Sequence, residues 1–184
     1  MRDRFLKQAK HEYSPKQRTI FLLLIGPIFL FLLPYFFVWS GAKLDHWLQL
    51  PQLFAAPTNW ILGILLILTG LLFGLWSNYR QFTLGRGTPV PLMATQELIV
   101  EPPYTYCRNP MALGAIVAYL GVGVLFRSPG ALIVVLLLSA LLLVYIKRIE
   151  EKEMELRFGQ AYLDYKARTP FLIPRFTRHS PQDT

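Results

Sequence analysis

Residues 109–155 read NPMALGAIVAYLGVGVLFRSPGALIVVLLLSALLLVYIKRIEEKEME: an uncharged run, a short polar break, a second uncharged run, and an abrupt block of charge. The two runs, Met111 to Phe126 and Ala131 to Ile146, are separated only by Arg127-Ser128-Pro129-Gly130. At a rise of 1.5 Å per residue, runs of this length approach the ~30 Å depth of a bilayer's hydrocarbon core. They read as an antiparallel transmembrane hairpin. Asn109-Pro110 is a strong helix start, because Asn is a favoured N-cap and Pro suits the first helical position. The backbone N–H groups exposed there either are simply capped or face a carboxylate or phosphate, which the positive end of the helix dipole suits.

Two further uncharged blocks precede the hairpin, Thr19 to Trp39 and Thr58 to Ser77, each long enough to cross by itself. The chain is 53% hydrophobic and only 16% charged, with a mean hydropathy of +0.36, which excludes an ordinary soluble domain. The expected fold is all-α: a polytopic membrane bundle of about four transmembrane helices. The first block is too long for a secretory h-region and ends in bulky Trp39, so it reads as a retained helix, kinked by Pro27 and Pro34. A single cysteine, Cys107, excludes an internal disulfide.

Orientation follows from the basic residues. Six Lys/Arg lie in 1–18, three in 79–110 and eight in 147–184, against only Lys43 and Arg127 in the other two loops. The positive-inside rule then puts both termini and residues 79–110 in the cytoplasm. The net charge of +8 is spent beside membrane segments and no nucleic-acid motif accompanies it, so its partner is anionic headgroups.

The polar segments are expected to meet at one depth. Gly85 to Pro91 cannot continue a helix, and Leu98-Ile99-Val100 is too short to span. With the hairpin turn centred near Pro129, residue 109 comes level with residues 148 to 150. The charge run Lys147 to Glu155 reads either as a solvated helix extension, with Glu151 and Glu155 one turn apart, or as part of a site. Glu150 lies beside the partner helix's start, where an unpaired carboxylate implies a cationic ligand or a protein cation, Arg108, Lys147 or Arg148. Phe158-Gly159 is a helix stop, and Tyr162, Tyr165 and Phe171 follow at spacings suited to a C-terminal interfacial helix.

Leu98-Ile99-Val100-Glu101-Pro102-Pro103-Tyr104, the Arg108-Asn109-Pro110-Met111-Ala112-Leu113-Gly114 helix start, the hairpin, and Glu150-Glu151 through Phe158-Gly159, Tyr162, Tyr165, Pro170 and Pro174 resemble the isoprenylcysteine carboxyl methyltransferase and phospholipid methyltransferase superfamily. Gly87-Thr88-Pro89 resembles its bacterial branch. The organisation this implies is 1–84 with the first two helices, 85–176 as the methyltransferase core, and 177–184 as a tail. The implied activity is methyl transfer from S-adenosyl-L-methionine to a lipid-soluble or membrane-anchored acceptor, at the cytoplasmic side of a bacterial inner membrane. Alternatives are a phospholipid N-methyltransferase, a membrane reductase with a nicotinamide cofactor, and a non-catalytic protein on the same scaffold. By resemblance, Gln96, Glu97, Leu98, Ile99, Tyr104, Asn109, Pro110, Met111, Ala112 and Glu150 contact the cofactor, with the Glu150 carboxylate on its ammonium. Arg108, Lys147 and Arg148 are the candidates for the acceptor. Gln96 and Asn109 stand where the family often has His, Pro102 where it often has Gly, and Ala112 where it often has Tyr. No metal is implied, and His11, His46 and His179 lie outside the motif.

Overall fold

A computed structural model describes residues 14–53, 55–86 and 95–175. The Gly87-Thr88-Pro89 stretch, the tail 177–184, His11 and His179 lie outside the described residues. Five helices make up the described chain: α1 (Pro15–Leu48), α2 (Thr58–Thr83), α3 (Pro110–Leu125), α4 (Pro129–Phe158) and α5 (Gln160–Arg168), with no strand among the described residues. In hydrocarbon the backbone must satisfy its own polar groups, and uncharged runs of this length do so as helices. α1, α2 and α4 are long and apolar enough to cross a membrane, and α3 is a shorter apolar helix of 16 residues. The protein is a polytopic membrane bundle, as its uncharged runs lead one to expect.

Small residues set the packing. Between two apolar helices in lipid there is little hydrophobic driving force, so close backbone approach supplies the association. α2 and α3 form the most closely applied pair, along Gly63, Gly70 and Gly74 on one side and Gly114, Ala118 and Gly121 on the other. A Cβ at Gly114 would stand 2.6 Å from both the Gly70 carbonyl oxygen and the Gly74 nitrogen. These are backbone atoms that no rotamer can move. Gly114→Val is therefore expected to push the helices apart at a cost of about 1–3 kcal/mol or more. Thermal unfolding in nanodiscs should show the loss, and Gly26→Ala, where an added Cβ meets nothing within 4 Å, should show none.

The C-terminal half of α1 packs on α4 in the same manner, through Gly41 against Gly130 and Ala131. At that end of the bundle Asp45 secures the start of α4. Its Oδ1 accepts from the Gly130 N–H at 2.6 Å, and its Oδ2 accepts from the Ser128 hydroxyl, which itself caps Ala131 N–H.

Two helices carry a π turn, in which five residues instead of four close each hydrogen-bonded ring. In α1 it spans Ile28–Leu32, directly after Pro27, where the missing proline N–H and ring disturb the regular ladder. The expected kink site is thus a π turn between the two prolines. One carbonyl there, that of Phe29, accepts from the Tyr119 hydroxyl of α3 at 3.0 Å. In α4 the π turn spans Ile146–Glu150, where hydrocarbon gives way to charge, and the helix then runs on to Phe158. Gly159, at φ +56°, breaks it and starts α5.

Candidate functional site

The end of the bundle where the polar segments meet is tied together by Arg108. Its Nη2 donates to Glu151 Oε1 at 2.7 Å, and its Nη1 donates to the carbonyls of Lys166 at 2.7 Å and Thr169 at 3.0 Å. Its guanidinium also lies 5.7 Å from the Phe171 ring centre. The second oxygen of Glu151 takes the Lys166 ammonium at 2.8 Å, and Lys166 reaches Glu155 at 2.8 Å as well. The Glu151 side chain is only 4% exposed, so this is a buried network joining three segments of chain. The hydrogen bonds to the two glutamates raise the pKa of Lys166, which stays charged. Glu151, not Glu150, therefore takes the protein cation. The π turn over Ile146–Glu150 shifts the helix face by about one residue and brings Glu151 to the Arg108 guanidinium, while Glu150 still faces the cavity between the helices.

The segment before α3 is held by its own residues. Ser77 of α2 donates its hydroxyl to Tyr104 Oη at 3.0 Å, and the Tyr165 hydroxyl of α5 donates to the Tyr104 carbonyl at 2.7 Å. The Arg108 N–H donates to Pro170 O at 2.9 Å and the Arg175 N–H to Tyr106 O at 3.0 Å. Asn109 occupies the N-cap position of α3 without capping it. Its Nδ2 donates instead to Phe171 O at 2.9 Å, so the side chain fixes the C-terminal segment and leaves the first helical N–H groups to other partners.

Burial pushes Tyr104 and Tyr162 up to about 12 and raises Tyr165 further, and burial pushes the Cys107 thiol to about 11. These groups are neutral donors at physiological pH, not anionic bases or nucleophiles. Tyr104, Tyr162 and Tyr165 also line the cavity, where burial raises the pKa of the Glu150 carboxyl as well.

A cavity of about 490 Å³ begins at this network and continues inward between α1, α2, α3 and α4. Glu97, Leu98, Ile99, Tyr104, Arg108, Asn109, Pro110, Met111, Ala112 and Glu150 all line it. Three sequence candidates do not. Gln96 stays outside, with its N–H on the Gly85 carbonyl at 2.7 Å, and Lys147 and Arg148 are exposed on the outer side of α4. Glu150 faces the cavity without an ion pair or hydrogen bond among the described residues.

Several cavity residues escape sequence reasoning. Leu22, Ile25 and Phe29 of α1 form an apolar wall that looks, in sequence, like any lipid-facing run. On α2, Gly70, Gly74, Asn78 and Gln81 recur every three or four residues and so share one face. That spacing is the signal that finds Asn78 and Gln81.

Residues 58–161, more than half of the chain and the source of α2, α3 and α4, match the phospholipid methyltransferase family model. Over 112 residues the chain is 30% identical to methanethiol S-methyltransferase 2 of Bradyrhizobium diazoefficiens, an overlap of 60% of this chain and 41% of that protein. The chain thus spans about two fifths of that relative's length (41%). The matched segment supplies three of the four helices around the cavity, and on that ground the protein belongs to the phospholipid methyltransferase family.

Proposed function

We propose that the protein is a membrane methyltransferase that uses S-adenosyl-L-methionine and methylates a lipid-soluble or membrane-anchored acceptor, working at the cytoplasmic face of a bacterial inner membrane. The observation that carries this reading is the pairing of two unlike ends in one cavity. Glu150 offers a carboxylate with no cation on it among the described residues, and Met111 and Ala112 border the cavity at a helix start that Asn109 leaves uncapped. A carboxylate and a helix N-terminus together suit the ammonium and carboxylate of an α-amino acid. The residues present therefore fit the methionine portion of this cofactor, with Leu98, Ile99 and Tyr104 available to its flat, less polar part.

Bound there, the cofactor supplies an electrophilic methyl group on a sulfonium. The protein's own share is to hold the reacting atoms in line and keep water away, since a thiolate or carboxylate acceptor needs no proton removed in the transfer. Neutral Tyr104 and Tyr162 fit that division of labour. The bacterial relative's name gives methanethiol as its acceptor, which favours a sulfur acceptor here over the amine of a phospholipid. The cavity's apolar continuation along Leu22, Ile25 and Phe29 supports an acceptor that arrives through lipid. Lys147 and Arg148, exposed where α4 leaves hydrocarbon, suit anionic headgroups around the entrance.

Calorimetric titration of the folded protein in nanodiscs with S-adenosyl-L-methionine is the direct test. Saturable binding is expected, and a flat titration with a well-folded sample would remove the reading. Binding of NADPH in its place would favour a reductase.

A further inference from the structure

The α2 wall of the cavity holds two polar side chains with no hydrogen-bond partner among the described residues. Asn78 Oδ1 and Gln81 Oε1 are buried acceptors without a partner, and both residues line the cavity. Asn59, Arg18 and Arg108 also carry an unpaired buried atom, but each bonds through another atom of the same side chain. The Asn78 and Gln81 side chains have no hydrogen bond among the described residues. Leaving a buried amide oxygen unpaired costs roughly 1–3 kcal/mol, and two such groups one helical turn apart, on the same cavity face, are costly unless something that binds there supplies the missing donors.

We propose that Asn78 and Gln81 form a polar subsite that accepts hydrogen bonds from N–H or O–H groups of a bound ligand. The chemistry follows from the amide itself. A half turn of either side chain exchanges its oxygen and nitrogen, but the carbonyl oxygen still needs a donor in both orientations. A ligand group that only accepts, such as a carboxylate, thiolate or ether, leaves that oxygen unpaired. An amine, a hydroxyl or an amino-substituted ring does not. The position agrees: Ser77, next in sequence, is spent on Tyr104, so it leaves the Asn78 and Gln81 oxygens unserved. The inference rests on the reading of the cavity as a methyltransferase site. The donors then belong either to the cofactor, through its adenine amine and ribose hydroxyls, or to the acceptor.

Asn78→Leu and Gln81→Leu test this, with Asn78→Ala and Gln81→Ala as smaller replacements in case leucine disturbs packing. Two titrations are made in nanodiscs: S-adenosyl-L-methionine by calorimetry, and 1-hexanol, 1-hexylamine and hexyl methyl ether by thermal shift. Removing one neutral hydrogen bond should weaken the relevant ligand roughly fivefold or more, with the melting midpoint unchanged or raised, because an unpaired polar group has been removed. A drop in S-adenosyl-L-methionine affinity assigns the subsite to the cofactor. Unchanged cofactor affinity, together with loss of the extra stabilisation that the alcohol and amine give over the ether, assigns it to the acceptor. Variants that bind every probe as the wild type does, or that simply melt lower, overturn the subsite. If the wild type binds no S-adenosyl-L-methionine, the methyltransferase reading fails, and the comparison of alcohol with ether alone decides the subsite.

Discussion

Glu151→Ala should destabilise the protein by about 3–5 kcal/mol, lowering the melting midpoint by roughly 6–20 °C in nanodiscs. The size of the effect comes from what is left behind. Arg108 sits with an 11% exposed side chain, over Phe171, and Glu151 is its carboxylate partner. Once Glu151 is gone, the guanidinium keeps two carbonyl acceptors but is buried without a counter-charge. Lys166, which is 34% exposed, can turn to Glu155 and to water and loses much less.

Damage should spread beyond the pair, because the network joins the start of α3, the end of α4 and the C-terminal segment. Arg108→Met should be similarly harmful, since Glu151 then keeps only Lys166. The double variant Arg108→Met with Glu151→Leu should recover much of the loss, because two apolar side chains of matching size remove both buried charges. A double variant no better than either single one would show that the carbonyl contacts of Arg108, not the ion pair, hold the three segments.

The helices were legible in the sequence because hydrocarbon leaves an uncharged run no alternative to helix. Their ends were not. α1 runs from Pro15 to Leu48, well past the uncharged block that ends at Trp39, because Asp45 turns inward to bond Gly130 and so gains from staying helical. The meeting of the α3 start with the α4 charge run was readable from hairpin geometry alone, and Arg108 does bond across it. Which glutamate it bonds was not readable. A π turn changes the helix face by about one residue without any composition that announces it, and that single step brings Glu151 to the Arg108 guanidinium. Asn109 misleads in a similar way. Its residue type says cap, but the chain that passes beside it offers the Phe171 carbonyl, and tertiary structure takes the side chain. Asn78 and Gln81 stay hidden because they lie beyond the apolar block that ends at Ser77, next to Arg80, where polar residues look like a membrane boundary.

Glu150→Gln should leave the fold intact and weaken S-adenosyl-L-methionine about 10- to 150-fold. A hydrogen bond to a charged group contributes about 1.5–3 kcal/mol, and each 1.4 kcal/mol is a factor of ten in affinity. Gln keeps the shape and one acceptor oxygen, so the change isolates the charge. Unlike its neighbour, Glu150 holds no cation among the described residues, so its removal strands none of them. Neutralising an unpaired carboxylate that faces a cavity should leave the melting midpoint where it is or raise it. The adjacent glutamates are therefore expected to separate: one change costs stability, the other costs affinity. Calorimetry of Glu150→Gln against wild type reads the second, and thermal unfolding of the same samples reads the first. A Glu150→Gln protein that binds the cofactor as well as the wild type would end the assignment of this carboxylate to the ammonium. One that melts like Glu151→Ala would show that Glu150 is a structural group and that the two residues do not divide the work.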